Sequence, residues 1–231
     1  MKRNWQNFWS DKTDGGHRQN DESYLALEAR EKLFHLGSGG SILDFGCGAA
    51  ELLSYFAGAF NYAVGADFSS SMLGSAEKRL KSLGINNVNL IQADDRTVWS
   101  KLDRKFDRIT CGQVVQYFNS RMLDEFLGNC KKSLNPGGKI ILFDVIDPRI
   151  YLLYHYRIIG NQKPQAVRLF YAAAIFCRDL FHLLSFTPLC ELGFAHHPES
   201  MSRIAARHGF KMTRVGSMYY EYRYHAVLEE D

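Results

Sequence analysis

An apolar run, Ile42-Leu43, that ends in Asp44-Phe45-Gly46-Cys47-Gly48-Ala49-Ala50 constrains this chain more than any other segment. A helix-like stretch follows, and a second apolar run ends in Asp67. The order strand, glycine turn, helix, strand, acidic tip is that of a nucleotide-type cofactor site at the carboxyl edge of a parallel sheet.

The rest of the chain continues the alternation. A helix capped by Asp21 or Ser23 runs to about Leu36, with Leu25, Ala29, Leu33 and Leu36 on one face. Strands are expected at 41–45, 62–66, 88–92, 106–111 and 139–145. Helices are expected at 50–58, from the cap Ser69-Ser70-Ser71 to Leu83-Gly84, and at 121–134, where Asn135-Pro136-Gly137-Gly138 makes a turn. Such strict alternation argues for an α/β, doubly wound parallel sheet. Residues 149–190 depart from it, with helix-like stretches near 149–160 and 165–186. A helix from Pro198 to His208 and strands at 210–218 and 222–228 close the pattern. No linker composition separates these parts. The reading is one domain, 1–231, with an N-terminal arm and helix (1–36) and a helical insertion (148–197).

Bulk properties set outer limits. The 231 residues suffice for a large core without staples. A net charge of +3, from 28 basic and 25 acidic residues, is too mild to imply nucleic acid. Five cysteines, at 47, 111, 130, 177 and 190, are an odd number without metal-ligand spacing, so no metal is expected and a reducing cytoplasm fits. The start has no apolar core of a secretory signal. The longest strongly apolar run, Leu169 to Cys177, is nine residues, well short of the ~20 that cross a bilayer.

The charges of the glycine turn discriminate between cofactors. A dinucleotide fingerprint needs a third glycine where this chain has Glu51, and a carboxylate there would repel a pyrophosphate. S-adenosylmethionine is a sulfonium cation with an ammonium group and no phosphate, so acids near the turn favour it. Asp44 suits the amino group, Gly46 and Gly48 allow close backbone approach, and Asp67 can accept hydrogen bonds from a ribose diol.

With those residues in place, the chain resembles the class I S-adenosylmethionine-dependent methyltransferases of the small-molecule type. Leu43-Asp44-Phe45-Gly46-Cys47-Gly48 is similar to their first motif, and Val64-Gly65-Ala66-Asp67-Phe68-Ser69 to the acidic second-strand motif. Ala93-Asp94-Asp95 resembles the adenine-recognition segment. Residues 106–111 with Val114-Val115-Gln116-Tyr117-Phe118 resemble the fourth-strand motif and its substrate-side loop. Leu134-Asn135-Pro136-Gly137-Gly138 and His208-Gly209-Phe210 resemble the later turns, so the likeness covers about 40–147 and 198–228. It implies a Rossmann-like seven-stranded sheet with an antiparallel edge. It also implies a cofactor site of Asp44, Gly46, Cys47, Gly48, Asp67, Phe68, Asp94, Asp95, Cys111 and Gly112, with S-adenosylhomocysteine as product. The family usually has glycine where Ala50 stands; alanine at helical φ/ψ would trim space beside the cofactor.

Methyl transfer from sulfonium needs mainly positioning and desolvation, and a hydroxyl acceptor gains from a general base. His196-His197 is the candidate base, although His197-Pro198 also reads as a helix cap. Gln116 and Tyr117 are candidates to orient the acceptor; His155 and His17 are weaker. Trp5, Phe8, Trp9 and Tyr24 read either as a lid or as a plug for an apolar groove. The insertion carries five Lys/Arg against two acids together with nine Tyr/Phe. That mixture suits core or homodimer packing, a cap over a substrate, or a membrane surface. The expected activity is methylation of a small molecule, with oxygen as the expected acceptor atom, on a sugar or other secondary-metabolic acceptor. The alternatives are an inactive, methyltransferase-like binding subunit and, disfavoured by Glu51, a nicotinamide oxidoreductase. Nucleic-acid methylation is disfavoured because Cys111-Gly112-Gln113-Val114 stands where the amino-methylating enzymes carry a proline-containing motif.

Overall fold

A short, β-branched and apolar segment flanked by glycines cannot extend into a helix, and Gly39–Phe45 accordingly forms strand β1, buried from Ser41 onward. The structure, a computed structural model, describes residues 9–10, 12–13, 22–159, 164–184 and 193–231. Strands β2 (Phe60–Asp67), β3 (Val88–Gln92), β4 (Phe106–Gly112) and β5 (Leu134–Ile146) join β1 in parallel. Strands β6 (Phe210–Gly216) and β7 (Arg223–Glu230) complete a seven-stranded sheet in the order β3-β2-β1-β4-β5-β7-β6. The antiparallel edge is the β6–β7 pair: β7 is the reversed strand, lying against β5, with β6 outside it.

Helices cover both faces: α1 (Glu22–Leu36), the single turn α2 (Leu53–Phe56), α3 (Ser70–Ser82), α4 (Ser120–Ser133) and α7 (Pro198–Arg207). Local chemistry sets their ends. Ser69 caps α3 by accepting from the amide of Met72, and Asn119 caps α4 through Met122. One core lies under α4 and α7, around Phe106, Phe118, Phe126 and Tyr224; the other lies under α1–α3, around Leu53, Phe56, Ile141 and Phe143.

Helices α5 (Pro148–His155) and α6 (Gln165–Leu184) make up the insertion. Asp147 caps α5 and also binds the guanidinium of Arg149. The sheet orders therefore match the expectation, while two local readings change. The stretch after the glycine turn is helical only over Leu53–Phe56, with a 3-10 turn to Ala59, rather than over 50–58. Ala50 is not at helical φ/ψ but at φ +60°, in the left-handed region. The cause is the turn itself: the amides of Gly46 and Cys47 both donate to the carbonyl of Ala66, which folds 46–50 back over the end of β2.

The face expected on α1 is also modified. Leu25, Ala29 and Leu36 are buried, but so are Glu28, Glu31 and Lys32. Lys32 Nζ lies 2.9 Å from Glu28 Oε1 and 2.9 Å from Asp144 Oδ2. Asp144 sits at φ +57°, where the β5–β7 register shifts between Leu142 and Val145. His225 Nδ1 accepts from the Asp144 amide, and its Nε2 lies 3.1 Å from Glu31 Oε1. Burial alone would raise the Asp144 carboxyl, but Lys32, His225 and Arg223 together outweigh it, Lys32 most, and draw the pKa down to about 2. This ionic cluster bolts α1 to the carboxyl end of β5 and to β7.

Candidate active site

The site is built at the carboxyl ends of β1, β2 and β4. Gly46 has φ +78°, and a Cβ there would lie 2.3 Å from Val114 Cγ2, so the turn after β1 and the loop after β4 touch only because this residue has no side chain. Three carboxylates surround the turn. Asp44, Glu51 and Asp67 are 7, 9 and 8 % exposed. Such a concentration of acid is costly without a cation to share it.

Asp67 organises the turn. Its Oδ2 accepts from the Gly48 amide at 3.0 Å and its Oδ1 from the Ser69 amide at 2.9 Å. Burial, with a smaller contribution from Glu51, pushes its carboxyl above the ordinary range despite those amides. Each oxygen retains a second lone pair, so the arrangement can also receive a diol. Burial raises the Cys47 thiol well above its usual pKa, and Asp44, Asp67 and Glu51 raise it further; Cys47 is a neutral lining group.

Beyond β3 a hollow of about 410 Å³ is lined by Phe68, Gln92, Ala93, Asp94, Thr97 and Lys101. Phe68 and Asp94 were expected here; Gln92, Thr97 and Lys101 were not, because nothing in their spacing distinguishes them from surface polar residues. Asp94 Oδ1 accepts from the amides of Arg96 and Thr97 and from the Thr97 hydroxyl, fixing the turn. Burial would raise its carboxyl, but those bonds, the Thr97 hydroxyl first, keep it below the usual range. Asp95 is half-buried, its carbonyl accepting from the Trp99 indole. Cys111 is fully buried in the core at the end of β4, its thiol raised by burial, whereas Gly112 is partly exposed.

The loop after β4 carries the acceptor-side candidates. Gln113 sits at φ +57° with its amide on the Phe143 carbonyl, and its Nε2 is buried without a hydrogen-bond partner among the described residues. Gln116 is 8 % exposed, and its Oε1 is likewise without one. Tyr117 accepts a hydrogen bond from the Trp9 indole at 2.9 Å. The same arm reaches the far side of the site: the Ser10 and Lys12 carbonyls accept from the Ser71 hydroxyl. Trp9, Ser10 and Lys12 thus bridge the β4 loop and the start of α3. Trp5, Phe8 and His17 lie outside the described residues. Gln113 was missed by sequence reasoning; its only signal was a second glutamine three positions from Gln116.

The two histidines proposed from sequence have structural duties. His197 caps α7, its Nδ1 accepting from the Glu199 amide. His196 is 6 % exposed, with Nε2 3.1 Å from the Val115 carbonyl. Its own carbonyl accepts from the Tyr224 hydroxyl. Burial lowers the His196 pKa, with main-chain hydrogen bonds at Val115 and Phe118 opposing, so the ring stays neutral and ties the insertion's return to the β4 loop. His155 stands apart in α5, against Tyr151 and Tyr156.

Glycine turn, acidic strand tips and sheet order together agree with the resemblance to class I S-adenosylmethionine-dependent methyltransferases that the sequence motifs carry. Residues 42–138 match the family described as "Methyltransferase domain". It is 28% identical over 122 residues to a demethylmenaquinone methyltransferase of Listeria welshimeri. That match takes in 52% of this chain and 50% of the relative, so the chain matches about half the length of the curated relatives. Among solved structures, the DhpI complex with SAM and HEP superposes with a TM-score of 0.66 at 14% identity, over 97% of this chain and 95% of that one. The N-methyltransferase NodS from Bradyrhizobium japonicum, in complex with S-adenosyl-L-homocysteine, gives 0.64 at 14% identity, over 98% and 96%. Likeness at such identity concerns the fold.

Proposed function

We propose that this protein transfers the methyl group of S-adenosylmethionine to a small-molecule acceptor, at oxygen, with a sugar or another secondary metabolite as the acceptor class. The carrying observation is the trio of buried carboxylates, Asp44, Glu51 and Asp67, around a turn whose amides are already pinned. A sulfonium cation with an ammonium group matches that charge; a pyrophosphate opposes it. When bound, S-adenosylmethionine supplies an activated methyl group, so little covalent chemistry is asked of the protein.

In this reading Asp44 holds the ammonium, Asp67 the ribose hydroxyls and Asp94 the adenine edge, with Phe68 and Asp95 flanking the ring. Gly46, Cys47, Gly48, Cys111 and Gly112 form the wall behind. Gln116 Oε1 is the acceptor of a hydrogen bond from the substrate's hydroxyl, and Tyr117 orients it. His196 and His197 act by shaping the loop rather than as the base. Trp9, held on Tyr117, excludes water when the site is filled. The described cysteines, Cys47, Cys111, Cys130 and Cys177, are all free thiols, which supports a cytoplasmic setting.

Transfer of labelled methyl from S-adenosylmethionine to a panel of sugars, phenols and amines tests the reading. Incorporation into a hydroxyl compound, lowered at least tenfold in Gln116→Leu, is expected. Cofactor binding without turnover on any acceptor would favour the inactive binding subunit instead.

A further inference from the structure

The exposed apolar side chains of this protein are gathered in one place. Of the large hydrophobic residues exposed among those described, ten fall in the insertion: Leu152, Leu153, Ile158, Val167, Leu169, Phe170, Tyr171, Phe176, Leu180 and Phe194. Phe170 is 72 % exposed, Leu169 64 % and Phe176 57 %. Soluble monomers rarely leave such a contiguous patch to water.

The pattern on α6 says what kind of partner covers it. At about 100° per residue, the exposed positions 165–167, 169–171, 173, 174, 176, 177 and 180 extend over more than half of the helix circumference. An interfacial helix buries one broad apolar face in the headgroup boundary, and the exposed Leu169, Phe170, Phe176 and Leu180 lie on such a face of α6. At 20 residues α6 is as long as a span but carries Arg168, and none of the described helices is both long and apolar enough to cross a membrane, which fits an interfacial element.

Charge and anchoring agree with that. Residues 148–197 carry five Lys/Arg against two acids, and Arg157 is exposed between the two helices. Arg168 turns back to the Ile158 carbonyl and joins α6 to α5. At the root of the insertion, Tyr154 and Tyr151 pack on Tyr222, with ring centroids 4.3 and 5.6 Å apart. Tyrosines at the foot of an apolar, basic projection are what the water-facing boundary of a bilayer favours. The insertion leaves the sheet at Asp147, directly after β5, and returns through Phe194, whose amide donates to the Gln116 carbonyl. It rises from the same edge as the candidate site.

We infer that α5 and α6 seat this protein on an anionic lipid bilayer, with α6 lying in the headgroup boundary and the candidate site facing the membrane surface. The inference does not depend on methyl transfer, and the test needs no turnover. The full-length protein is sedimented with vesicles of phosphatidylcholine alone and of an equimolar mixture with phosphatidylglycerol. Binding to the mixed vesicles is expected, several-fold weaker on phosphatidylcholine and weakened again at about 0.5 M salt. Phe170→Glu with Phe176→Glu should lower it at least tenfold, and Arg157→Glu should lower only the anionic preference. Unchanged thermal unfolding of these surface variants shows that they fold. Protein left in the supernatant at millimolar lipid would overturn the inference. So would a dimer, seen by light scattering, that the double variant converts to monomer while vesicle binding is absent.

Discussion

Ala50 shows how finely the glycine turn is balanced. A left-handed alanine costs ~1–2 kcal/mol, which glycine would avoid. Glycine would forfeit ~0.5–1 kcal/mol in chain entropy and up to about 0.8 kcal/mol from the buried methyl, since Ala50 is fully enclosed beside Cys47 and Leu53. The terms nearly cancel. Ala50→Gly should therefore change unfolding stability by less than about 0.5 kcal/mol, whereas Ala50→Val, branched at φ +60°, should cost ~2 kcal/mol or more in denaturant unfolding. A large loss with glycine would show that the backbone here is not left-handed. The sequence reading placed Ala50 in the glycine turn but missed its conformation, because the pins on Ala66 come from a strand formed later in the chain.

Asp67 gives a pH prediction at the same scale. Its carboxyl titrates above the ordinary value near 4 in the free protein, because burial opposes its charge. A cationic ligand needs the ionised form. Affinity for S-adenosylmethionine should be full near neutral pH and fall as pH drops through the raised pKa, and calorimetry from pH 7 downward reads that directly. Asp67→Asn should remove most of this acid-side decline. The fold contribution has the opposite sign: a raised carboxyl pKa makes ionised Asp67 a small burden on stability, relieved as the pH falls.

At the scale of elements, α1 is held by charge as much as by packing. Lys32, Glu28 and Asp144 are enclosed together, so removing one partner leaves an uncompensated buried charge. Lys32→Met should cost about 3–5 kcal/mol in unfolding free energy. Lys32→Met combined with Asp144→Asn should cost distinctly less than the two single losses added together. Asp144 has a lowered pKa, so its contribution is present above the unfolded value of ~3.9 and is lost as pH falls through about 2. None of this was legible in α1. The apolar face of Leu25, Ala29, Leu33 and Leu36 left Glu28, Glu31 and Lys32 without a sequence signal, since His225, which meets Glu31, lies 194 positions further on.

The N-terminal arm is the second element with a measurable part. Trp9 donates to Tyr117, while Ser10 and Lys12 accept from Ser71, so the arm joins both rims of the site. Trp9→Ala should speed cofactor release several-fold in stopped-flow displacement while leaving thermal unfolding nearly unchanged. An unaltered release rate would mean that the arm packs without closing the site.

Across the whole molecule, the central sheet was the readable part. Runs such as Ile42-Leu43 and Ile140-Ile141-Leu142 are buried on both faces, and parallel strands of that kind announce themselves as apolar segments between turns. The seven strands and the antiparallel edge came with the family resemblance; the placement of β7 between β5 and β6 came only with the structure, since strand order is not written in periodicity. The cofactor half of the site was legible because its chemistry sits at strand tips with fixed spacing. The acceptor half was legible only in part: Gln116 and Tyr117 stood out by their place after β4, whereas Gln113 did not, and the buried, unsatisfied atoms of both glutamines appear only once the β4 loop is folded. The insertion was ambiguous for a related reason. An apolar helix face reads alike whether it meets a core, a twin or a lipid surface, and only its exposure separates them.

The central claim is that buried acid around residues 44–67 selects a sulfonium cofactor. Isothermal calorimetry of the purified protein with S-adenosylmethionine, and separately with NADH, tests it most directly. One-to-one binding of S-adenosylmethionine near neutral pH, weakened at least tenfold in Asp67→Asn, with no heat from NADH, is the predicted result. No heat from S-adenosylmethionine at millimolar concentration, or equal binding by wild type and Asp67→Asn, would contradict it.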